Sequence, residues 1–378
     1  MAFSSSRDEL SDPAHGRHDT LPTRSVIWGA YCRSKLAQEL DRIGGSRVTL
    51  LTTASLARHG RHVGDLVHLI GERHVRTVSD LPAHVPVEGV EMVTQSIEHD
   101  EADTLIAFGG GSVIDAAKAV AGNVGRKTGR IPPIIAFPTT LSGAEFAHVY
   151  GVLEITEKGP FKRTYSDPGV VPQIVFLDPE LTLSTPQTLW LSSGIKALDH
   201  AIEGLLIPGK RPVTDAVALE GIARMARALP QARSPALAER LDAQLAAWMS
   251  YFAPATIRAG LSHRIGYILG GSYQVPHSLT SCITLAPVMR MFAKLEPAKL
   301  TQIGAALGLS SPNPAATASA IDRLVGDLGL PQRLRDLGIE KVAIPRIAAL
   351  TRHHFPADCE RVEVLGANAF DDLILSLW

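Results

Sequence analysis

Asp103–Lys118 reads DTLIAFGGGSVIDAAK. From Asp103 to Phe108 it is a short apolar run, the composition of a strand buried on both faces. Gly109, Gly110 and Gly111 follow with Ser112, and from Val113 to about Ala121 the spacing predicts a helix. Strand, glycine turn and helix in that order gather backbone N–H groups and the positive end of a helix dipole at one point. That is the physical recipe for holding a pyrophosphate. A plain strand–helix turn needs one glycine rather than three. The run is neither G-x-G-x-x-G nor a P-loop, so the usual dinucleotide and kinase fingerprints do not apply.

Outward from this turn the same alternation repeats. Ser25–Trp28, Arg47–Thr52, Pro133–Pro138 and Val170–Leu177 read as strands; Ser34–Arg42, Ala54–His59 and Val90–His99 read as helices. For Val63–Ile70 the periodicity does not choose between strand and helix. Val149–Phe161 alternates about Glu157-Lys158-Gly159, which predicts a hairpin. After Pro186 the chain becomes rich in Ala, Leu and Arg at helical spacing, over 213–233, 235–251, 297–307 and 313–328. The expectation is an α/β domain over 23–180, a parallel sheet with flanking helices, and an all-helical domain over 181–378. Residues 1–22 are polar, lack an apolar signal-peptide core and are expected to form a loose tail.

Composition narrows the function. The chain has 378 residues, 37 Lys and Arg against 38 Asp and Glu, and a net charge of -1, so the basic excess of a nucleic-acid binder is missing. At 45% hydrophobic and 20% charged residues, it has the composition of a globular protein. No run approaches the roughly 18 apolar residues of a membrane helix. Cys32, Cys282 and Cys359 are too few and too scattered for a disulfide framework or a zinc cluster, and fit a reducing compartment. A cytoplasmic protein acting on a small molecule is expected, with no nucleic-acid or membrane partner.

Two groups of residues carry candidate chemistry. Beside the glycine turn, Pro138–Glu145 (PTTLSGAE) supplies the hydroxyls of Thr139, Thr140 and Ser142, suited to phosphate, ribose or amide contacts. The strand at 47–52 ends in Thr52-Thr53 without the acid that would bind a ribose 2′-OH, which favours tolerance of a 2′-phosphate; alternatively these threonines only cap the next helix. In the helical half, Lys196 and His200 are four apart and share a face, as do His263 and Tyr267, and His277 follows Pro276. Asp199 lies about 100° around the helix from His200, so it is not expected to join that site. Three histidines with one more polar position make a metal site conceivable, and satisfied interior side chains are the plainer alternative.

Gly109–Lys118, Pro138–Glu145, Asp178-Pro179 with Leu181, Ser193–Glu203 and His263–His277 occur in order and spacing. Together they resemble the iron-containing (group III) alcohol dehydrogenases. Through Val149-Tyr150-Gly151, Leu269-Gly270-Gly271 and Pro276-His277 the chain is most similar to the maleylacetate reductase branch. The resemblance implies a dehydroquinate-synthase-like architecture, a frequent homodimer, and an active site between the two domains. It implies NAD(P) along Gly109, Gly110, Gly111, Ser112 and Asp115, with Thr53, Thr139, Thr140 and Ser142 close by. Family members usually hold Fe²⁺ or Zn²⁺ through one Asp and three His. The His map onto His200, His263 and His277; the Asp maps onto Lys196.

A cation therefore stands where the family has an anionic ligand. A protonated Lys repels a divalent ion at contact distance, so no native metal is expected and the histidines are read as a vestigial site. Maleylacetate reductases also replace this Asp and are regarded as metal-independent. Two further departures, Tyr267 in place of a second His and Pro276-His277-Ser278 in place of Pro-His-Gly or Pro-His-Ala, alter the substrate pocket. The expected reaction is hydride reduction of a carbonyl, with the Lys196 ammonium polarising the oxygen and Tyr267 or one of the three histidines supplying the proton. Lys162, Arg163, Arg258 and Arg264 are candidates to receive a substrate carboxylate, and His148 a candidate pocket residue. The substrate expected is maleylacetate or a similar oxo-carboxylate from aromatic degradation. The alternatives are a biosynthetic aldehyde or ketone reductase and a non-redox, NAD-binding relative of dehydroquinate synthase.

Overall fold

The computed structural model describes residues 21–80, 86–156, 159–209, 211–231, 236–252 and 259–378. The expected tail up to Thr20, the hairpin turn at Glu157-Lys158, Arg258 and the side chain of Lys162 lie outside the described residues. The chain divides into two compact units, one of Leu21–Gln187 with Ser234–Leu245, the other including Thr188–Arg233 and Ala246–Trp378. The sequence had put the change near 180 and assigned all of 181–378 to the helical half.

The first unit is built on strands β1 (Ser25–Trp28), β2 (Val48–Leu51), β3 (His74–Val78), β4 (Thr104–Gly109), β5 (Ile134–Pro138) and β8 (Ile174–Leu177), with a separate hairpin of β6 (Val149–Thr156) and β7 (Gly159–Ser166). The six strands form one sheet in the order β1-β8-β5-β4-β2-β3, and every pairing is parallel. Helices α1 (Leu36–Ile43), α2 (Ala54–His59), α3 (Arg61–Ile70), α4 (Val87–His99) and α5 (Gly111–Thr128) are the crossovers. Both faces of β4 are covered, as its unbroken apolar run predicts. Ile106 and Phe108 join Leu50, Ile135, Phe137 and Phe176 on one face, where Phe137 and Phe176 stack at 4.6 Å. Leu105 and Ala107 join Ile114, Ala117 and Val120 of α5 on the other.

Val63–Ile70, undecided from sequence, lies in helix α3, whose inward residues Leu66 and Ile70 are one turn apart. Strand β3 carried no sequence signal. It is the sheet edge, and only Val78 of its five residues is buried. Arg33, 2% exposed, donates to Asp178 at 2.7 Å and so ties the turn after β1 to the end of β8. From the segment 234–245, Arg240 donates to the carbonyl and hydroxyl of Thr182 at 2.8 and 3.0 Å, both within this unit.

The second unit is helical: α6 (Gln187–Leu206), α7 (Pro212–Gln231), the end of α8 (Leu237–Tyr251), α9 (Leu261–Tyr273), α10 (His277–Leu295), α11 (Pro297–Ala306), α12 (Pro314–Asp327), α13 (Ile344–His354), α14 (Pro356–Glu363) and α15 (Ala369–Ser376). Helix α6 is buried almost throughout its second half, polar residues included. Helices α9 and α10 meet closely at Gly266, where a Cβ would stand 2.8 Å from Thr280 Oγ1. Among the described residues no helix is long and apolar enough to cross a membrane. All three cysteines are buried free thiols.

Candidate active site

In the α/β unit the glycine turn closes β4 and opens α5, with Gly110 at the N-cap and no side chain capping the helix. A side chain at any of the three would crowd a neighbour. A Cβ on Gly109 would lie 2.7 Å from Val113 Cγ2, one on Gly110 3.0 Å from Thr140 Cγ2, and one on Gly111 3.0 Å from Ser142 Oγ. The hydroxyl loop is therefore laid directly against the turn. Thr139 N–H donates to the Gly109 carbonyl at 3.0 Å, and Thr140 Oγ1 donates to Ser142 Oγ at 3.3 Å. Ser112 is exposed in the first turn of α5.

Other residues from the cofactor expectation have structural partners. Asp115 accepts from Gly151 N–H at 3.3 Å and lies 3.7 Å from Lys118 Nζ, fastening α5 to β6. Thr53 caps α2, accepting from Leu56 N–H at 3.2 Å, which is the capping alternative. Lys118 is fully buried and donates to the Ala144 and Val149 carbonyls at 2.6 and 3.3 Å. Burial lowers its pKa, against the pull of Asp115 and Glu145. Burial pushes the Glu145 carboxyl up to about 7 despite Lys118. His148 is half-buried, its pKa lowered by burial and by Lys118. Arg163 pairs with Glu154 at 2.9 Å on the hairpin.

In the helical unit the structure brings Lys196, His200 and His263 together and adds two carboxylates. Lys196, 2% exposed, donates from Nζ to Ser281 Oγ at 3.0 Å and lies 3.9 Å from Asp199 Oδ2. That oxygen also accepts from the hydroxyls of Ser281 and Ser262, at 2.5 and 2.9 Å, and lies 3.3 Å from His263 Nδ1. The expectation that Asp199 stays out of the site is thus corrected. Its angle around α6 turns it from His200, but toward α9 and α10, which carry Ser262, His263 and Ser281.

One turn further along α6, Glu203 accepts two backbone N–H groups from α9 and lies within hydrogen-bond distance of a ring nitrogen. These are Ser262 N at 2.5 Å, His263 N at 3.3 Å and His263 Nδ1 at 2.6 Å. The His200 and His263 rings stack at 4.6 Å, and Tyr251 stands edge-on to His200 at 4.8 Å. Burial lowers the His200 pKa, helped by His263, Lys196 and His277. Burial also lowers that of His263, to about 3. Both rings are therefore neutral near pH 7. Burial pushes Glu203 up to about 7, opposed by its backbone donors and by Lys196.

His277 begins α10 and is exposed. Tyr267 stands edge-on to Phe355 at 5.8 Å, and Arg264 stacks on the same ring at 4.7 Å with Asp358 at 3.6 Å from its Nε. Asp199, Glu203 and His263 bring ligand atoms within 4.8 Å of one another, a group able to hold a metal ion. Sequence reasoning missed it. The usable signal was the i, i+4 pair of acids flanking His200.

Two family models match the chain, the iron-containing alcohol dehydrogenase model over residues 22–179 and the C-terminal model of the Fe-containing alcohol dehydrogenase family over 190–360. A maleylacetate reductase of Pseudomonas aeruginosa is 34% identical over 92% of this chain and 95% of its own. One from Sphingobium indicum is 32% identical over 88% and 90%. The crystal structure of maleylacetate reductase from Agrobacterium tumefaciens superposes with a TM-score of 0.84 at 26% identity, covering 96% of this chain and 97% of that one. With one model on each half and relatives of this identity along nearly its whole length, the chain belongs to the iron-containing alcohol dehydrogenase family of oxidoreductases and is similar to its maleylacetate reductases.

Proposed function

We propose that the protein is an NAD(P)H-dependent, metal-independent reductase of maleylacetate or a similar oxo-carboxylate. The observation that carries this reading is Lys196: a buried lysine, where the family resemblance puts a metal-ligating carboxylate, beside two neutral histidines. A divalent ion on the histidines would face its ammonium. One on Asp199, Glu203 and His263 would compete with the hydroxyl and N–H donors those oxygens already accept, and with Lys196 at 3.9 Å. The donor set therefore suits a cation that is part of the chain.

The glycine turn, the α5 N-terminus and the hydroxyls of Thr139, Thr140 and Ser142 would hold the dinucleotide. Bound NAD(P)H supplies a hydride. The ammonium of Lys196 stabilises negative charge on the substrate carbonyl oxygen as that hydride arrives. With a simple ketone the hydride would add to the carbonyl carbon, the π electrons would move to oxygen, and a proton from Tyr267 or one of the three histidines would complete the alcohol. With a conjugated 4-oxo-2-enoate such as maleylacetate, it adds to the far alkene carbon, and the resulting enolate takes its proton on carbon. In both, the developing charge sits on the same oxygen, so one ammonium serves either outcome.

The experiment is NADH and NADPH oxidation with maleylacetate, using chelator-stripped protein with and without added Zn²⁺ or Fe²⁺. Turnover unchanged by stripping is expected. Turnover that appears only with metal overturns metal independence, and tight nucleotide binding without turnover of maleylacetate overturns the substrate.

A further inference from the structure

Helix α9 begins at Gly260, which has no side chain with which to cap it. The cap comes from another helix. Glu203 of α6 lays its carboxylate across the end of α9, accepting Ser262 N–H on Oε1 and His263 N–H on Oε2. There is no room for a side chain at 260, because a Cβ there would lie 2.6 Å from Glu203 Oε1 and 2.7 Å from its carboxyl carbon. The third group at this carboxylate is the His263 ring, with Nδ1 at 2.6 Å. At its other end His263 Nε2 is buried and has no hydrogen-bond partner among the described residues. Each oxygen of this carboxyl already accepts a backbone N–H at a helix N-terminus, which favours the accepting, ionised form that Glu203 holds at pH values above about 7. The proton of the imidazole must then sit on Nδ1.

We infer that Glu203 is a positioning residue that fixes His263 as the Nδ1–H tautomer, so that Nε2 presents a lone pair. In the reaction proposed above, on which this inference rests, His263 is then an acceptor toward substrate and not the donor of the proton. That removes His263 from the expected proton sources and leaves Tyr267, His200 and His277. The arrangement is a carboxylate–imidazole pair of the kind that sets ring orientation and tautomer elsewhere, assembled from a helix cap.

The test reads the tautomer directly in the resting full-length protein. Histidine-selective ¹⁵N labelling and two-bond ¹H–¹⁵N correlation at pH 8 report which ring nitrogen of His263 is protonated, its signals assigned by their loss in His263→Gln. The expected result is protonated Nδ1 and bare Nε2. Protonated Nε2 in the wild type overturns the inference. In Glu203→Gln an amide cannot accept all three donors, and His263 should move to the Nε2–H form. With it kcat should fall about ten-fold or more while KM stays within about two-fold. Retention of the Nδ1–H form with unchanged kcat overturns the inference. Gly260→Ala, which leaves Glu203 in place but crowds its carboxylate, should shift the tautomer in the same direction; an unshifted tautomer there counts against the inference. No substrate is needed for the tautomer reading, so failure of maleylacetate turnover beside an Nδ1–H spectrum would sink the substrate and leave this assignment standing.

Discussion

Lys196 Nζ and Asp199 Oδ2 lie 3.9 Å apart on one face of α6, in an interior that leaves the lysine 2% and the aspartate 0% exposed. Ser281 bridges them, accepting from the ammonium and donating to the carboxylate. A buried cation here is sustained by a buried anion three residues on. The two opposite charges are thus placed to balance each other within the helix. Breaking one member leaves the other uncompensated, which is the costly case for buried ions.

Lys196→Met should therefore do two separable things. It should lower kcat by roughly 100-fold or more, the scale for removing one preorganised donor at a developing oxyanion. It should also destabilise the fold by roughly 3–5 kcal/mol through the stranded Asp199. Adding Asp199→Asn should recover much of the stability and none of the turnover. Steady-state kinetics and urea denaturation of the three variants check this; recovery of turnover in the double variant would remove Lys196 from the chemistry.

The glycine turn predicts a binding defect without a folding defect. Gly111→Ala places a Cβ 3.0 Å from Ser142 Oγ, where the hydroxyl can give by rotation, and adds bulk at the α5 N-terminus. NAD(P)H affinity, read by nicotinamide fluorescence, should fall about ten-fold or more with the far-UV CD spectrum intact. Equal affinity would move the pyrophosphate away from this turn.

Thr53 caps α2 through its hydroxyl, and Asp caps as well as Thr. Thr53→Asp should keep the helix start while adding the acid that binds a ribose 2′-OH and repels a 2′-phosphate. The ratio of kcat/KM for NADPH to that for NADH should drop by about ten-fold or more. An unchanged ratio would leave Thr53 as a cap alone.

The acid Glu145 gives a pH dependence with a defined sign. Its folded pKa, about 7, lies above the usual 4.5 of an unfolded glutamate. The stability linked to its proton is therefore fully present below pH 4.5 and is lost as pH rises through 7. The slope is at most about 1.4 kcal/mol per pH unit. Glu145→Gln cannot titrate, so its Tm relative to wild type should climb between pH 5 and 8 and then level off. A flat difference across that range would mean that the carboxylate is compensated when charged.

How much of this was legible in the sequence differs by element. The apolar runs of β2, β4 and β5 announce buried parallel strands, and the glycines mark where the chain must come close to itself at Thr140 and Ser142. Strand β3 was silent because an edge strand buries little, leaving His74, Val75, Arg76 and Thr77 without a pattern. In the helical unit, reasoning along one helix placed Lys196 beside His200 correctly. The same reasoning dismissed Asp199, because the partners that define its role sit on α9 and α10, far away in sequence. Along the sequence Glu203 is only the end of the Ser193–Glu203 motif. The bare glycine before α9 was the clue to it, since a helix start without its own capping side chain needs a donor of oxygen from elsewhere.

Strand β1 has one strand partner among the described residues, and it is the last strand of the sheet, with Ser25 opposite Ile174. A ribosome adding about 5–20 residues per second makes these partners on the order of ten seconds apart. Until β8 emerges, the first strand, with Trp28 just ahead of the Arg33 that will clasp Asp178, has nothing to pair with. The segment from β2 to β5, whose pairings are nearer in sequence, is free to condense first. Slow closure of this edge makes the nascent chain, rather than the finished protein, the form most exposed to chaperones and to unwanted strand pairing.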